Sequence, residues 1–130
     1  MFPIAYHPIY KHPLPDGHRF PMIKYELLPD QLKLEGIAST TDFFEPSKLC
    51  NDVDVLRVHT TQYLGQLKNL TLERRAARKL GFPLSKALVE RELRIAQGTI
   101  EGSIKALTTK VAMNIAGGTH HAYTDHGEAF

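Results

Sequence analysis

Two adjacent histidines, His120 and His121, stand in the segment Ala116-Gly117-Gly118-Thr119-His120-His121-Ala122. Imidazole suits the transfer of a proton to and from water near neutral pH, because its ordinary pKa lies there. Gly117 and Gly118 carry no Cβ, so a ligand can approach the backbone closely just before the pair. From an extended segment the two rings cannot both point the same way. One would face a ligand; the other would support it or stabilise developing charge. Each would gain from a carboxylate on its far nitrogen, which fixes the tautomer and raises basicity. Asp125 and Glu128 are the candidates close by. A second chemistry competes with this one. His120, His121, Asp125 and His126 offer donors that suit zinc, although their spacing matches no closed tetrahedral motif. The third account is a plain surface loop.

The elements that would position the pair come just before it. Residues 111–115 are apolar apart from Asn114 and read as a short buried strand of a parallel sheet. A helix is expected over residues 84–107, where Leu93, Ala96, Ile100, Ile104 and Leu107 form one stripe at helical period. Its glycines, Gly98 and Gly102, favour close packing, and a bend is expected near Gly98. A long helix feeding such a strand is the second half of a βαβ crossover. In open α/β sheets ligands bind beyond the carboxyl ends of the strands, which is where the histidines fall.

Further upstream the chain is rich in punctuation. Six of the eight prolines lie in residues 1–29, so this region is expected to be extended, with a strand at 2–6 and a turn at Asp16-Gly17. A helix starts near Met22, is interrupted at Pro29-Asp30, and gives way to a second short helix ending at Gly36. Residues 38–44 read as extended, and helices are expected over 52–59, 61–70 and 72–80 before the break at Gly81-Phe82-Pro83. His7, His12 and His18 are expected to be exposed among the prolines, with Tyr6-His7 the more interesting pair. Arg74, Arg75, Arg78 and Lys79, extended by Lys86, Arg91 and Arg94, form a basic stretch. It lacks interleaved aromatics, and Glu90 and Glu92 break its field, so a solvated helix face is expected rather than a nucleic-acid surface.

The chain of 130 residues is long enough for one modest domain. Its 42% hydrophobic and 23% charged residues have the balance of a soluble globular protein, and a net charge of +2 demands no anionic partner. The single cysteine, Cys50, excludes an internal disulfide and fits a reducing compartment. No signal peptide is legible, and no apolar run approaches the ~20 residues of a membrane span. A cytoplasmic location and no membrane partner are therefore expected.

The segment Gly117-Gly118-Thr119-His120-His121-Ala122, followed by Asp125, Gly127-Glu128 and Phe130, resembles the histone deacetylase superfamily. So do Tyr6-His7-Pro8-Ile9-Tyr10, the run from Pro13 to Tyr25, Val58-His59-Thr60 with Tyr63, Gly81-Phe82-Pro83, and Gly98-Thr99-Ile100. The likeness covers essentially the whole chain and is strongest to a class IV-like bacterial branch, alongside acetoin-utilisation deacetylases. It implies an α/β chain that is the N-terminal part of a three-layer α-β-α arginase/deacetylase fold with a mostly parallel sheet. Residues 1–130 would form a single partial domain. It also implies a hydrolase that removes acetyl or other acyl groups from lysine or related amines through a zinc-activated water.

In that resemblance His121 would be the general base and His120 its electrostatic partner. Gly118 would lie beside the substrate channel and Phe130 would be one of its aromatic walls. The family's zinc ligands, an Asp-x-His pair and a later Asp, have no counterpart here, so no metal ligand is assigned. Zinc belongs to the complete fold, and the chain alone is expected to be inactive. Gln97 and Ala129 depart from the family pattern, each standing where a glycine is usual. Unpaired strand edges are expected to promote self-association. The alternative is a non-catalytic fragment or remnant that acts as a structural or binding module.

Overall fold

The sheet is built around two residues. Ile4 and Ala5 form β1, with both side chains fully buried, between β2 (Phe43–Phe44) and β3 (Met113–Asn114). All pairings are parallel: Ile4 sits opposite Phe43 and Met113, and Ala5 opposite Phe44 and Asn114. Parallel neighbours need crossover connections, and helices supply them. The computed structural model describes residues 2–118 and 121–129.

The first crossover carries α1 (Lys24–Leu34), a single helix with Pro29 inside it. The expected interruption at Pro29-Asp30 is therefore corrected. Proline removes one backbone hydrogen bond, but Tyr25 and Pro29 are the buried residues of α1, and that burial holds the turn in place. The expected stop is where the sequence places it. Gly36 adopts φ +69°, its N–H bonds Lys33 O at 3.1 Å, and Ile37 N–H bonds Leu32 O at 3.0 Å. This is a glycine-dependent helix end. Residues 38–44 are only partly extended. The Asp42 carboxylate accepts from Ser39 N–H at 2.8 Å and Ser39 Oγ at 2.7 Å, which curls Thr40–Asp42 into a tight turn before β2.

The second crossover runs through α2 (Asp52–Val55), α3 (Thr61–Asn69), α4 (Arg74–Lys79) and α5 (Lys86–Thr109). Each of α2, α3 and α5 starts at a side-chain cap: Asn51 accepts from Asp54 N–H, Thr60 from Tyr63 N–H, and Ser85 from Leu88 N–H, at 2.9 to 3.1 Å. The helix expected over 52–59 is thus a single turn. α5 is continuous through Gly98 and Gly102.

The face that α5 buries is not the one its apolar pattern suggests. Leu88, Arg91, Ile95, Gly98 and Gly102 are buried, at spacings of 3, 4, 3 and 4 residues. Ile104 and Leu107 from the expected stripe are 61% and 78% exposed. Close approach explains the choice. A Cβ at position 98 would fall 2.6 Å from the Tyr10 hydroxyl, 3.0 Å from the Asn114 amide nitrogen and 3.1 Å from the Pro46 ring. Helix and sheet can meet here only because the side chain is absent. The expected buried strand at 111–115 is corrected too. β3 is short and lies at the sheet edge, with Val111 and Met113 exposed, because no described strand pairs with its outer side.

Arg91 is a core residue, not part of a surface patch. Its Nε donates to Tyr10 O at 2.7 Å, its guanidinium lies 5.0 Å from the Tyr25 ring centre, and it pairs with Glu92. Arg94 donates to Pro46 O at 2.8 Å. The exposed basic face is therefore limited mainly to α4, which buries none of its residues. The proline-region histidines are also more engaged than expected. His12 is buried, and burial, with Arg91 adding to it, holds its pKa below the ordinary value. His18 Nε2–H donates to Gly81 O at 2.9 Å, and His7 Nδ1 accepts Ile9 N–H at 3.1 Å as a turn cap.

Candidate active site

The site is reached from the end of β3. The Asn114 side chain turns back into the protein rather than outward. Its amide donates to Ile95 O at 2.9 Å and to Thr99 Oγ1 at 3.0 Å, both on α5. Its Oδ1 accepts Ala116 N–H at 3.4 Å, and Ala116 is buried. Gly117 and Gly118 then emerge exposed. His120 and Phe130, both assigned roles from sequence, lie outside the described residues, as does Thr119.

His121 is half-buried and opens a hairpin. Glu128 N–H bonds His121 O at 2.9 Å, Ala122 pairs with Gly127, and Tyr123 N–H bonds His126 O at 3.0 Å. The Tyr123 and His126 rings stack with centres 4.3 Å apart. Two docking points hold the hairpin. At its tip, Thr60 N–H bonds Thr124 O at 3.0 Å and His59 Nδ1–H donates to Tyr123 O at 3.0 Å. At its exit, Ala129 N–H bonds Lys79 O at 2.7 Å and Lys79 Nζ pairs with Glu128 at 2.5 Å. The sequence reading of single residues missed Lys79 and Asn114. The one signal for Asn114 was an amide inside an apolar run.

The two carboxylates proposed to orient the histidines have other engagements. Asp125 bonds His126 Nδ1 at 2.7 Å, which holds its carboxyl below the usual range. Glu128 is held low first by its hydrogen bond to Lys79 and then by that residue's charge. Among the described residues, no three His, Cys, Asp or Glu side chains gather in a way that could hold a metal ion. His121, Asp125 and His126 therefore do not fit a zinc site by themselves.

An apolar groove of about 530 Å³ opens beside the histidine segment. α3 contributes Tyr63, Leu64 and Leu67; α5 contributes Leu88, Leu93, Ala96 and Ile100; Gly117, Gly118 and His121 also line it. The half-buried part of the predicted α5 stripe thus lines this groove. Of the two departures, Gln97 points elsewhere. It is buried, and its amide donates to Glu101 Oε1 at 2.8 Å, while Glu101 accepts from Ser47 Oγ at 2.6 Å. Ala129 matters more, because it holds φ +59°. An L-residue in that region is strained by about 1 kcal/mol relative to glycine.

A sequence model of the histone deacetylase domain matches residues 18–130 of this chain. An uncharacterized protein of Picosynechococcus sp. (strain ATCC 27264 / PCC 7002 / PR-6) is 38% identical over 129 residues, a span of 99% of this chain and 43% of that relative. The chain therefore covers less than half the length of the curated relative it matches. The α5 clamp on β3, the paired glycines, His121 and its hairpin all fall within the matched span, and the chain belongs to the histone deacetylase domain family.

Proposed function

We propose that this chain carries the proton-transferring side of a deacetylase site within a longer protein of the bacterial class IV-like branch. The observation that carries the reading is the place of His121. It is half-buried, follows the end of a parallel strand, and lines an apolar groove. His121 takes a proton from the attacking water and returns it to the departing amine, a role suited to imidazole. His120 stabilises the charge that develops beside it. Gly118 borders the substrate channel, and Phe130 forms an aromatic wall for the alkyl part of an acetylated lysine or acylated amine. In the complete domain zinc would supply the Lewis acid, while the residues of this chain hold and move the proton.

The exposed edge of β3 and the uncovered apolar residues Ile104, Leu107 and Val111 support the reading of residues 1–130 as one N-terminal part of a domain. The isolated chain is then expected to self-associate through that edge. The alternative is a structural or binding module without catalysis.

The test compares the complete protein with the 130-residue chain. Each is assayed for bound zinc and for hydrolysis of an acetyl-lysine peptide. The catalytic reading expects zinc and turnover in the complete protein, neither in the short chain, and loss of about 10²-fold or more in kcat for His121→Ala. A complete protein that binds no zinc and releases no acetate supports the module instead.

A further inference from the structure

We propose that Asn114 and Thr99 are positioning residues for the histidine segment, acting together as a clamp between α5 and the strand end. The inference rests on the reading of His121 as the proton-transferring residue. The side chain of Asn114 spends all its hydrogen-bonding groups on this junction. Its amide N–H groups reach one helix carbonyl, Ile95 O, and one hydroxyl, Thr99 Oγ1. Its carbonyl oxygen turns the chain by accepting Ala116 N–H, the last buried residue before Gly117.

Three further facts make this a built junction rather than an incidental contact. Gly98 leaves room for the amide, since a Cβ there would lie 3.0 Å from its nitrogen. Ala112 and Ile115 on either side of β3 are half-buried, so Asn114 is a polar group set within an apolar stretch. Such a group is costly to bury unless its bonds are made. Finally, Gly117 and Gly118 have no Cβ, so their own backbone angles are only weakly restricted. A segment this permissive holds a base in place only if its root is fixed. Asn114 fixes the root on the strand side. The Glu128 N–H to His121 O bond and the Ala122–Gly127 pairing fix the hairpin side. His121 is carried between two anchors, and proton transfer at a fixed place depends on both.

The experiment uses the complete protein with an acetyl-lysine peptide. Asn114→Asp keeps the acceptor for Ala116 N–H and loses the donors to Ile95 O and Thr99 Oγ1. Thr99→Val removes one acceptor without changing shape, and Thr99→Ser restores it. The clamp predicts that Asn114→Asp and Thr99→Val lower kcat by about tenfold with KM within about twofold, and that both shift the acid limb of the kcat–pH profile. It also predicts that Thr99→Ser recovers most of the loss. Amide hydrogen exchange is read in parallel for Ala116–Gly118 and, as a reference, for Ala5 and Tyr6. The clamp predicts faster exchange at 116–118 alone. Unchanged kcat and pH profile in an active protein, or equal acceleration at both places, overturns it. If the wild-type protein hydrolyses nothing, the reading of His121 fails, and the exchange data still decide whether Asn114 fixes the segment.

Discussion

The two faces of α5 are held to different standards. The inner face, with Arg91, Ile95 and Gly98, meets β1, Tyr10 and Asn114 so closely that one added Cβ would collide with three neighbours. The outer face, with Leu93, Ala96, Ile100, Ile104 and Leu107, is the more apolar by composition, yet it lines an open groove or faces solvent. Hydrophobic character alone does not say which side of a helix is buried. On the inner face, tight packing and directional bonds decide. On the outer face, apolar surface waits for something to cover it.

Substitutions on the two faces should therefore behave differently. The largest effect is expected for Arg91→Ala. It removes the bond to Tyr10 O and the packing on Tyr25, and should cost about 3 kcal/mol in urea denaturation. A loss under 1 kcal/mol would mean that Arg91 is solvated and that the inner face is looser than described. Gly98→Ala comes next, at about 2 kcal/mol, because the Tyr10 hydroxyl and the Pro46 ring must move. Gly102→Ala is its control. The nearest atom there, Ala112 Cβ, would be 3.6 Å away, an ordinary contact, so the substitution should be neutral or stabilising by up to about 1 kcal/mol. Equal effects at the two glycines would erase the distinction between a packed and a merely small residue.

A pH measurement sharpens the same contrast. The buried Tyr10 hydroxyl has no hydrogen-bond partner of ordinary geometry among the described residues, and burial pushes its pKa up to about 12, with Asn114 nearby lowering it in part. A raised pKa means that the folded state keeps the proton longer than the unfolded state. This contribution to stability is complete below the unfolded value of about 10 and is lost as pH rises from there toward 12. Tyr10→Phe should flatten that alkaline loss relative to wild type. Parallel curves for the two proteins would show the hydroxyl to be solvated. The smallest stability effect is expected on the outer face. Leu107→Gln should change stability by less than about 0.5 kcal/mol, since the side chain is 78% exposed, while reducing self-association in size-exclusion chromatography.

Much of the architecture was legible from local rules. Gly36 and Gly81 end helices where their positive φ is needed, whereas the helix expected from residue 84 begins only after the Ser85 cap, at Lys86. Pro29 misled because a proline's local penalty is visible in sequence, whereas the burial that outweighs it is not. Within the candidate site, His121 and Gly118 were named from their types and order. The partner of Glu128 was not legible, since Lys79 lies 49 residues away, whereas Asp125 is taken by the adjacent His126. His120 and Phe130 lie outside the described residues.

By itself the sequence determined the family, the order of helices and strands apart from the division expected at Pro29, and the residue types able to move a proton. Those depend on neighbours in the chain: a cap, a turn glycine, a run of apolar residues, a motif. Tertiary structure decided which face of α5 is buried, that Arg91 belongs to the core, and that Asn114 ties the histidine segment to Thr99. Those outcomes depend on distances between segments far apart in sequence. A hydrogen bond or a missing Cβ acts only over a few ångströms, and folding alone brings the groups that near.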